Sequence, residues 1–282
     1  MANILITGAT GGFGALIVQE LIASGHKVVG TSRKVNATSS SDAYQLVEMD
    51  VTNEGSVNCG VDAALSSMGN IDVLINSAGV GCLGWTEAFS AEEMKKIFEV
   101  NVFGVQRVTR AVIPQMREQG RGLIINVSSL LGRITIPFYG PYNSSKWALE
   151  GLTENYRSEL SQLGIEVCLV EPGGYQTAFI ENLVRPADET RIRSYGPMAE
   201  APKAFLEQFE SVLASTPVQD PILVGKAVAE LVNTPHGQRQ FRTVVDKLGM
   251  GDPIAGYNEN FAQLTTGIYQ NFGIGHLLKV AS

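Results

Sequence analysis

The chain has 282 residues, of which 44% are hydrophobic and 17% charged, and a formal net charge of −7. This length and hydrophobic content can support a sizeable core, and α/β chains of this size commonly form one domain. The acidic balance argues against nucleic acid or an anionic membrane as the main partner. A strand predicted from residue 3 leaves no room for a signal peptide, and no apolar run is long enough to span a bilayer, so a cytoplasmic location is expected.

The first predicted element is a short apolar strand, Asn3–Thr7. Gly8, Gly12 and Gly14 follow it, and apolar residues then recur at helical spacing over residues 13–23. A helix that starts at a glycine turn directs unpaired backbone N–H groups and its positive dipole end at a phosphate. The segment therefore predicts a strand–turn–helix unit that can bind a dinucleotide pyrophosphate.

Strands and helices alternate along the rest of the chain. Further strands are predicted at residues 27–31, 45–49, 71–76, 122–127, 165–170 and 239–246. Helices are predicted around residues 54–67, 91–119, 141–163, 222–233 and 254–271, with a short or irregular helix in the crossover 33–43. Such alternation predicts a doubly wound parallel sheet of Rossmann type in a single domain, residues 1–282.

Three side chains in the second half of this pattern suit proton transfer. Ser129 follows the strand at 122–127, and Tyr142 and Lys146 lie four residues apart on the helix predicted at 141–163. A tyrosine of ordinary pKa, near 10, is a poor acid or base at neutral pH, and a lysine on the same helix face favours the phenolate. Taken singly, each residue also fits a structural role, so their order among the other motifs carries the interpretation.

Together these motifs resemble the short-chain dehydrogenase/reductase family over about residues 3–180. The motifs, in chain order, are TGATGGFG at 7–14, NSAG at 76–79, VNVFG around Asn101, Ser128-Ser129, Tyr142-xxx-Lys146 and Pro172-Gly173-xxx-Thr177. The stretch 101–179 looks most like the hydroxysteroid and retinol dehydrogenase branch. The resemblance implies hydride transfer between a nicotinamide cofactor and a carbonyl or secondary alcohol.

The resemblance also implies roles for individual residues. The catalytic set would be Ser129, Tyr142 and Lys146, with Asn101 holding a water that relays protons. Cofactor contacts would come from Gly8, Thr10, Gly12, Phe13 and Gly14 in the glycine turn, Asp50 and Val51 at the adenine, Asn76, Ala78 and Gly79 at the adenosine ribose, Tyr142 and Lys146 at the nicotinamide ribose, and Pro172, Gly173, Tyr175 and Thr177 at the nicotinamide.

The end of the second strand indicates which cofactor binds. A carboxylate there would favour NAD by binding the ribose hydroxyls, whereas an arginine accommodates the 2′-phosphate of NADP. Here Ser32 takes the place of the carboxylate, and Arg33 and Lys34 follow. A hydroxyl and a guanidinium would bind a phosphate, so NADP(H) is predicted in preference to NAD(H).

The substrate is expected to be mainly apolar. Residues 174–220 form a long segment that is predicted to cover the site as a lid. Its apolar residues include Tyr175, Phe179, Tyr195, Phe205, Phe209 and Val212, and Trp85, Leu131, Phe138 and Tyr139 come from other loops near the expected site. These side chains fit an apolar pocket, although aromatic residues also dominate lid cores and subunit interfaces.

No metal is predicted, because Cys59, Cys82 and Cys168 have neither CxxC spacing nor an even count. A homodimer or homotetramer is expected by resemblance, through the helix at 141–163 and the helix before it, and residues 249–282 form a C-terminal extension of undetermined role. Two other functions stay open: a non-catalytic NADP(H)-sensing protein of the same fold, and a sugar-nucleotide epimerase or dehydratase. The second would favour a larger C-terminal substrate domain, which the sequence does not indicate.

Overall fold

A computed structural model describes residues 1–35 and 41–281. Within these residues seven parallel strands form one sheet in the order β3-β2-β1-β4-β5-β6-β7. The strands are β1 Asn3–Thr7, β2 Lys27–Ser32, β3 Tyr44–Glu48, β4 Val73–Asn76, β5 Gly122–Val127, β6 Ile165–Pro172 and β7 Arg242–Val245. This is the doubly wound parallel sheet that the alternating pattern predicted, and the fold prediction is confirmed.

Helices cover both faces of the sheet. In chain order they are α1 Gly12–Ala23, α2 Glu54–Met68, α3 Ala91–Phe98, α4 Val105–Gln119, α5 Gly140–Ser161, α6 Ala178–Glu181, α7 Glu189–Ser194, α8 Ala201–Ala214, α9 Ile222–Asn233 and α10 Gly251–Asn271. Successive strand residues point to opposite faces. Ile4 and Ile6 therefore pack with α1 and α9, while Leu5 packs with α2, α4 and α5.

The helix predicted at 91–119 is interrupted. A π-helical turn, Glu99–Gly104, separates α3 from α4. Within it the Asn101 amide binds the backbone of Val80, accepting from its N–H at 2.9 Å and donating to its carbonyl at 2.9 Å. These contacts join the turn to the loop after β4, which explains why a sequence that is helical on both sides does not form one regular helix.

Other predicted bounds shift by a few residues. The strand predicted at 239–246 forms only over Arg242–Val245, and that at 71–76 begins at Val73. The crossover predicted as a short or irregular helix at 33–43 lies largely outside the described residues.

The segment predicted as a lid, residues 174–220, contains α6, α7 and α8. Phe205 and Phe209 pack towards the loops at the carboxyl end of the sheet, as expected, but Val212 is 44% exposed and does not join them. The buried face of α8 instead continues through Leu206 and Leu213, because these positions fall on the same side of the helix.

Three glycines at the rim let this covering segment approach closely. A Cβ on Gly81 would lie 2.4 Å from Phe179 Cζ, and one on Gly174 would lie 2.1 Å from Phe209 Cζ. A Cβ on Gly84 would lie 2.5 Å from Pro186 Cδ.

No helix of the described chain has the length and apolar character needed to cross a membrane.

Candidate active site

The turn after β1 has the shape of a phosphate-binding loop. Gly8 and Gly12 adopt positive φ angles of 69° and 51°, which favour glycine. A Cβ on Gly14 would lie 2.1 Å from the Gly8 carbonyl oxygen, so glycine there lets α1 start directly above β1. Gly11 and Gly12 face open space, since a Cβ on either would have no atom within 4 Å, and no side chain caps the helix. The free N–H groups of this helix start fit a pyrophosphate.

One cavity of about 700 Å³ runs along the carboxyl ends of the strands. It starts at the glycine turn and ends beneath the covering segment. The predicted site residues that line it are Gly8, Thr10, Gly12, Phe13, Ser32, Arg33, Asp50, Val51, Ala78, Gly79, Ser129, Tyr142, Lys146, Pro172, Gly173, Tyr175 and Thr177. The structure therefore brings the phosphate-binding turn and the Ser/Tyr/Lys set to a single cavity.

Three predicted site residues do not reach the cavity surface. Gly14 is buried within α1. Asn76 is 2% exposed and donates from Nδ2 to Thr109 Oγ1 at 3.1 Å and to Asn126 Oδ1 at 2.9 Å. Asn101 is fixed by the Val80 backbone in the π-helical turn. The side chains of Asn76 and Asn101 thus support the sheet and the loop after β4. The predicted contacts of Asn76 with the ribose and of Asn101 with a water stay predictions.

Ser129, Tyr142 and Lys146 meet because β5 ends and α5 begins at the same edge of the sheet. Ser129 follows β5, and its Oγ accepts a hydrogen bond from the Leu131 N–H at 3.1 Å. Tyr142 and Lys146 lie in the first two turns of α5, and Lys146 Nζ lies 5.7 Å from the centroid of the Tyr142 ring. Lys146 Nζ also donates to the Val127 carbonyl at 2.9 Å, which holds the ammonium group at the end of β5.

Burial controls the protonation of this set. It raises the pKa of Tyr142 well above its ordinary value, and the hydrogen bond from Ser129 only partly opposes the shift. Burial also lowers the pKa of Lys146 to about 8, against the opposing charge of Glu150. The expectation that Lys146 favours the phenolate is thus outweighed in the unliganded protein, where Tyr142 holds its proton at neutral pH. A protonated phenol is the form that a carbonyl reduction requires.

The opposite end of the cavity carries the residues predicted to choose the cofactor. Thr10 Oγ1 donates to Ser32 Oγ at 3.2 Å, so both hydroxyls lie beside the glycine turn. Arg33 lines the cavity and is exposed. Asp50 accepts from the Thr52 N–H at 2.9 Å and hydroxyl at 2.8 Å, and these bonds lower its pKa. Among the described lining residues, Asp50 is the only carboxylate.

The end beneath the covering segment is apolar. Tyr139, Phe179, Phe205 and Phe209 line it as expected, and the Phe179 ring centroid lies 5.6 Å from that of Tyr142. Several further lining residues were not named as site residues from the sequence: Gly11, Thr52, Ser77, Val80, Gly81, Val100, Ser128, Leu130, Ile136, Ile180, Asn182, Leu183 and Met250. Many of these lie in or beside a predicted motif or in the predicted lid, which is the signal that could have identified them.

Trp85, Phe138 and Tyr195 take a different part from the one expected. Trp85 stacks on Tyr195 with ring centroids 3.8 Å apart, and Phe138 meets the edge of Trp85 at 5.0 Å. None of the three lines the cavity. They instead join the loops after β4 and β5 to the covering segment, so the expectation that they form the pocket wall is corrected.

Behind the Ser/Tyr/Lys set lies a buried charge cluster that was not predicted from the sequence. Glu150 and Glu171 are 2% and 0% exposed, and Arg242 Nε lies 3.1 Å from Glu150 Oε2 and 3.0 Å from Glu171 Oε1. Asn258 on α10 donates to Glu171 Oε2 at 2.6 Å, and its Oδ1 accepts from Arg133 Nε at 2.8 Å. The sequence did contain one signal for this cluster, which is the glutamate inside the apolar strand β6. A charged side chain in a buried strand is rare unless it is paired, so it indicates a buried partner.

The cluster predicts a pH-dependent stability. Burial, and then the charge of Glu150, raise the pKa of Glu171 from 4.5 to about 7. The stabilisation from its extra proton is therefore full below pH 4.5 and lost as pH rises through 7. Glu171→Gln is therefore expected to gain stability relative to the native protein as pH rises from 4.5 to above 7, because the variant has no carboxyl group that must lose this proton.

Urea unfolding of the native protein and Glu171→Gln at several pH values measures this difference. Glu154→Gln is the matched control, because Glu154 contacts the same Arg242 but is 32% exposed. A difference between the native protein and Glu171→Gln that does not change with pH would contradict the assignment.

Comparisons with known proteins agree with this geometry. The model of the short chain dehydrogenase family matches residues 2–188. A 3-ketodihydrosphingosine reductase of Bacteroides thetaiotaomicron is 44% identical over 64% of this chain and 66% of its own length. A 3-alpha-(or 20-beta)-hydroxysteroid dehydrogenase of Mycobacterium tuberculosis is 37% identical over 61% of this chain and 68% of its own.

Among solved structures, the 3-ketoacyl-(acyl-carrier-protein) reductase of Brucella melitensis in complex with NADH has a TM-score of 0.71 and 28% identity. The match covers 86% of this chain and 96% of that one. The chain therefore spans about two thirds of the two curated relatives and nearly all of a cofactor-bound structure of the same fold.

Proposed function

The chain belongs to the short-chain dehydrogenase/reductase family, and from this premise we propose that it is an NADP(H)-dependent oxidoreductase acting on a mainly apolar carbonyl compound or secondary alcohol. The observation that carries the proposal is the shared cavity: Ser129, Tyr142 and Lys146 lie on its wall, and the glycine turn lies at its other end. A protein that only sensed the cofactor would need the turn but no buried proton donor.

NADP(H), when bound, supplies or accepts the hydride. The chain supplies the proton and the electrostatic stabilisation. In reduction, Tyr142 donates its phenolic proton to the substrate oxygen, while Ser129 donates a hydrogen bond to the same oxygen as negative charge develops. Lys146 binds the nicotinamide ribose and keeps a positive charge beside the tyrosine that has lost its proton. In oxidation the same groups act in reverse.

Residues on either side position the reacting groups. Pro172, Gly173, Tyr175 and Thr177 would border the nicotinamide, and the Tyr175 hydroxyl is itself held by the Val245 carbonyl at 3.1 Å. Gly173 suits this place because a Cβ there would lie 2.1 Å from Asp246 Oδ1. The rigid backbone at this wall would fix which face of the nicotinamide meets the substrate.

The preference for NADP(H) is supported by the charges near the glycine turn. Arg33 is a cation on the cavity wall next to the Thr10 and Ser32 hydroxyls, which together suit a 2′-phosphate. Asp50, the acidic lining residue, accepts two hydrogen bonds from Thr52, and in this proposal it would contact the adenine instead of the ribose. A carboxylate that would repel the phosphate is therefore absent from the described cavity wall at the end of β2.

An apolar substrate is supported by the aromatic end of the cavity. Tyr139, Phe179, Phe205 and Phe209 lie there, close to Tyr142. The 3-ketodihydrosphingosine reductase that the chain resembles is, by its name, a reductase of a ketone, in agreement with a carbonyl substrate. The covering segment would exclude water from this end during reaction.

The experiment that tests the proposal follows reduced-cofactor absorbance with NADPH and with NADH against ketones and aldehydes, from small and polar to large and apolar. We expect turnover with NADPH to exceed that with NADH and to improve with apolar size. A uniform preference for small charged keto acids would contradict the apolar substrate. Cofactor binding without turnover on any carbonyl would favour the sensing protein instead.

Assembly forms a further part of the proposal. A homodimer or homotetramer would form through α4 and α5, where Phe103 beside α4 is 46% exposed and Trp147 on α5 is 41% exposed, while Leu149 faces the core. Light scattering of the purified protein, with Trp147→Glu as the variant, measures the assembly.

The proposal also includes a single-domain organisation, a lid role for residues 174–220 and a cytoplasmic location.

A further inference from the structure

A short turn joins Ser129 to Arg133 directly after β5. Leu130–Gly132 form a single 3₁₀ turn, in which the Gly132 N–H donates to the Ser129 carbonyl at 2.9 Å. The Leu131 N–H donates to Ser129 Oγ at 3.1 Å, and both Ser129 and Leu131 line the cavity. Because these hydrogen bonds close the turn on Ser129, a displacement of Arg133 would be transmitted to the Ser129 hydroxyl.

Helix α10 holds the Arg133 end of this turn. The side chain of Arg133 is 6% exposed, and its Nε donates to Asn258 Oδ1 at 2.8 Å. The guanidinium carbon lies 4.8 Å from the Tyr257 ring centroid and 5.1 Å from that of Phe261, within the range of a cation–π contact. Tyr257, Asn258 and Phe261 all lie on α10, so the C-terminal extension provides these anchors of a buried cation.

Asn258 joins the turn to the end of β6. Its Nδ2 donates to Glu171 Oε2 at 2.6 Å, and Asn258 and Glu171 are 7% and 0% exposed. An arginine cannot accept a hydrogen bond, so the amide oxygen faces Arg133 and the amide nitrogen faces Glu171. Asn258 uses one side-chain atom for each partner and thereby fixes the distance between the two partners.

The same two segments meet again on the cavity side. Glu171 directly precedes Pro172, whose carbonyl accepts from the Ser129 hydroxyl at 3.5 Å. This distance is at the long limit of a hydrogen bond, so the Ser129 hydroxyl is weakly held and can turn towards a substrate oxygen. Asn258 therefore bridges, from behind the cavity wall, the two backbone segments that carry Ser129 and Pro172.

We infer that Asn258 is a positioning residue, through which the C-terminal helix α10 fixes the Ser129 hydroxyl relative to the end of β6. The inference rests on the proposed function for its consequence, because a displaced Ser129 would stabilise charge on the substrate oxygen less well. Asn258 does not line the cavity, and it acts only through Arg133 and Glu171. The C-terminal extension thereby contributes to the catalytic geometry through a residue outside the cavity.

The first measurement is hydrogen–deuterium exchange of the unliganded protein, resolved for peptides that span residues 129–134. Asn258→Ala removes both hydrogen bonds of the bridge, so the amides of Leu131 and Gly132 should exchange at least about tenfold faster through local opening. Exchange in the glycine turn at residues 8–14 should not change. Equal exchange rates at residues 129–134 in the native protein and the variant would overturn the inference.

The second measurement is a double-mutant cycle on turnover of the best carbonyl substrate. If Asn258 acts through Ser129, Asn258→Ala should lower kcat by about tenfold or more in the native background and by less than about twofold in the Ser129→Ala background. The affinity for NADPH should stay within about threefold in both backgrounds. A residue that served only the stability of the fold would lower kcat by the same factor in both, and that result would overturn the inference.

Tyr269→Phe is the matched control, because it removes another side-chain hydrogen bond of α10, from the Tyr269 hydroxyl to Ser158 Oγ at 3.4 Å. Its turnover should match that of the native protein. Asn258→Asp/Glu171→Gln tests rescue, since the introduced amide donates to the introduced carboxylate, which still accepts from Arg133. Turnover of this double variant should return to within about threefold of the native value, and a value as low as that of Asn258→Ala would overturn the inference.

Circular dichroism shows whether each variant folds. If Asn258→Ala does not, Asn258→Leu removes both hydrogen bonds while nearly conserving the side-chain volume, and the same results support or overturn the inference. The exchange measurement needs neither cofactor nor substrate. A protein that turns over no carbonyl would therefore contradict the proposed function, while the exchange rates would still decide whether Asn258 fixes the turn.

Discussion

Tyr142→Phe is expected to reduce kcat by about 10³-fold or more while the affinity for NADPH changes little. The variant removes only the hydroxyl oxygen, from a side chain that is 8% exposed and packed against Phe179. General acid catalysis contributes about 10²–10⁴-fold, which sets the size of the expected loss. Steady-state turnover and cofactor fluorescence measure the two effects separately.

Tyr139→Phe is the matched control for this variant. Tyr139 lines the same cavity, is 7% exposed, and has its pKa raised to about 12 by burial. It lies three residues before Tyr142 and outside the proposed proton path, so turnover should stay within about tenfold of the native value. Unchanged turnover in Tyr142→Phe would remove Tyr142 from the mechanism. Loss of NADPH binding in that variant would indicate a structural role instead.

Arg33→Ala is expected to weaken NADPH binding by about 10–100-fold and NADH binding by less than about threefold. A hydrogen bond to a charged group contributes about 1.5–3 kcal/mol, and only NADPH offers the 2′-phosphate that the guanidinium would bind. Arg33 is exposed at the cavity mouth, so part of its effect should be lost at high salt. Fluorescence titrations with both cofactors at low and high ionic strength measure the selectivity.

Lys34→Ala serves as the control for Arg33→Ala. Lys34 is the next residue and also carries a positive charge, but it does not line the cavity. The NADPH:NADH affinity ratio should therefore change much less than in Arg33→Ala. Equal losses for both cofactors in Arg33→Ala would mean that Arg33 does not recognise the phosphate.

Local signals in the sequence predicted the parts of the fold that depend on neighbouring residues. The bounds of β1, β5 and α9 agree with the predicted ranges, because an apolar run or a helical apolar period is visible within each segment. The glycine turn is recognisable for the same reason. Its position after a strand and before a helix is sufficient to predict a phosphate site.

Features that depend on distant contacts were not predictable in the same way. The π-helical turn depends on the bonds of Asn101 to Val80, which lie 21 residues apart in the chain. The stack of Trp85 on Tyr195 and the pairing of Glu150 with Arg242 join still more distant segments. No local period marks such contacts, so the sequence identified these residues, where it did so, only as generic aromatic or charged positions.

The same distinction between local and distant contacts applies to the candidate site. Ser129, Tyr142 and Lys146 were predicted from their spacing, and the structure places all three on one cavity. The directions in which the pKa values of Tyr142 and Lys146 shift were not predicted from that spacing. They depend on burial and on Glu150 as well as on the pairing of Tyr142 with Lys146. Proximity on a helix shows which groups can interact, whereas burial decides which protonation state is favoured.

The rim glycines bear on how this protein could be recombined with its relatives. Gly81, Gly84 and Gly174 each receive a side chain of the covering segment, from Phe179, Pro186 and Phe209 respectively. A chimera that exchanges residues 178–214 for those of another dehydrogenase must therefore bring matching rim positions with it. A donor that carries alanine or a larger residue at any of the three places would hold the transplanted segment away from the carboxyl edge of the sheet and leave the aromatic pocket open to solvent.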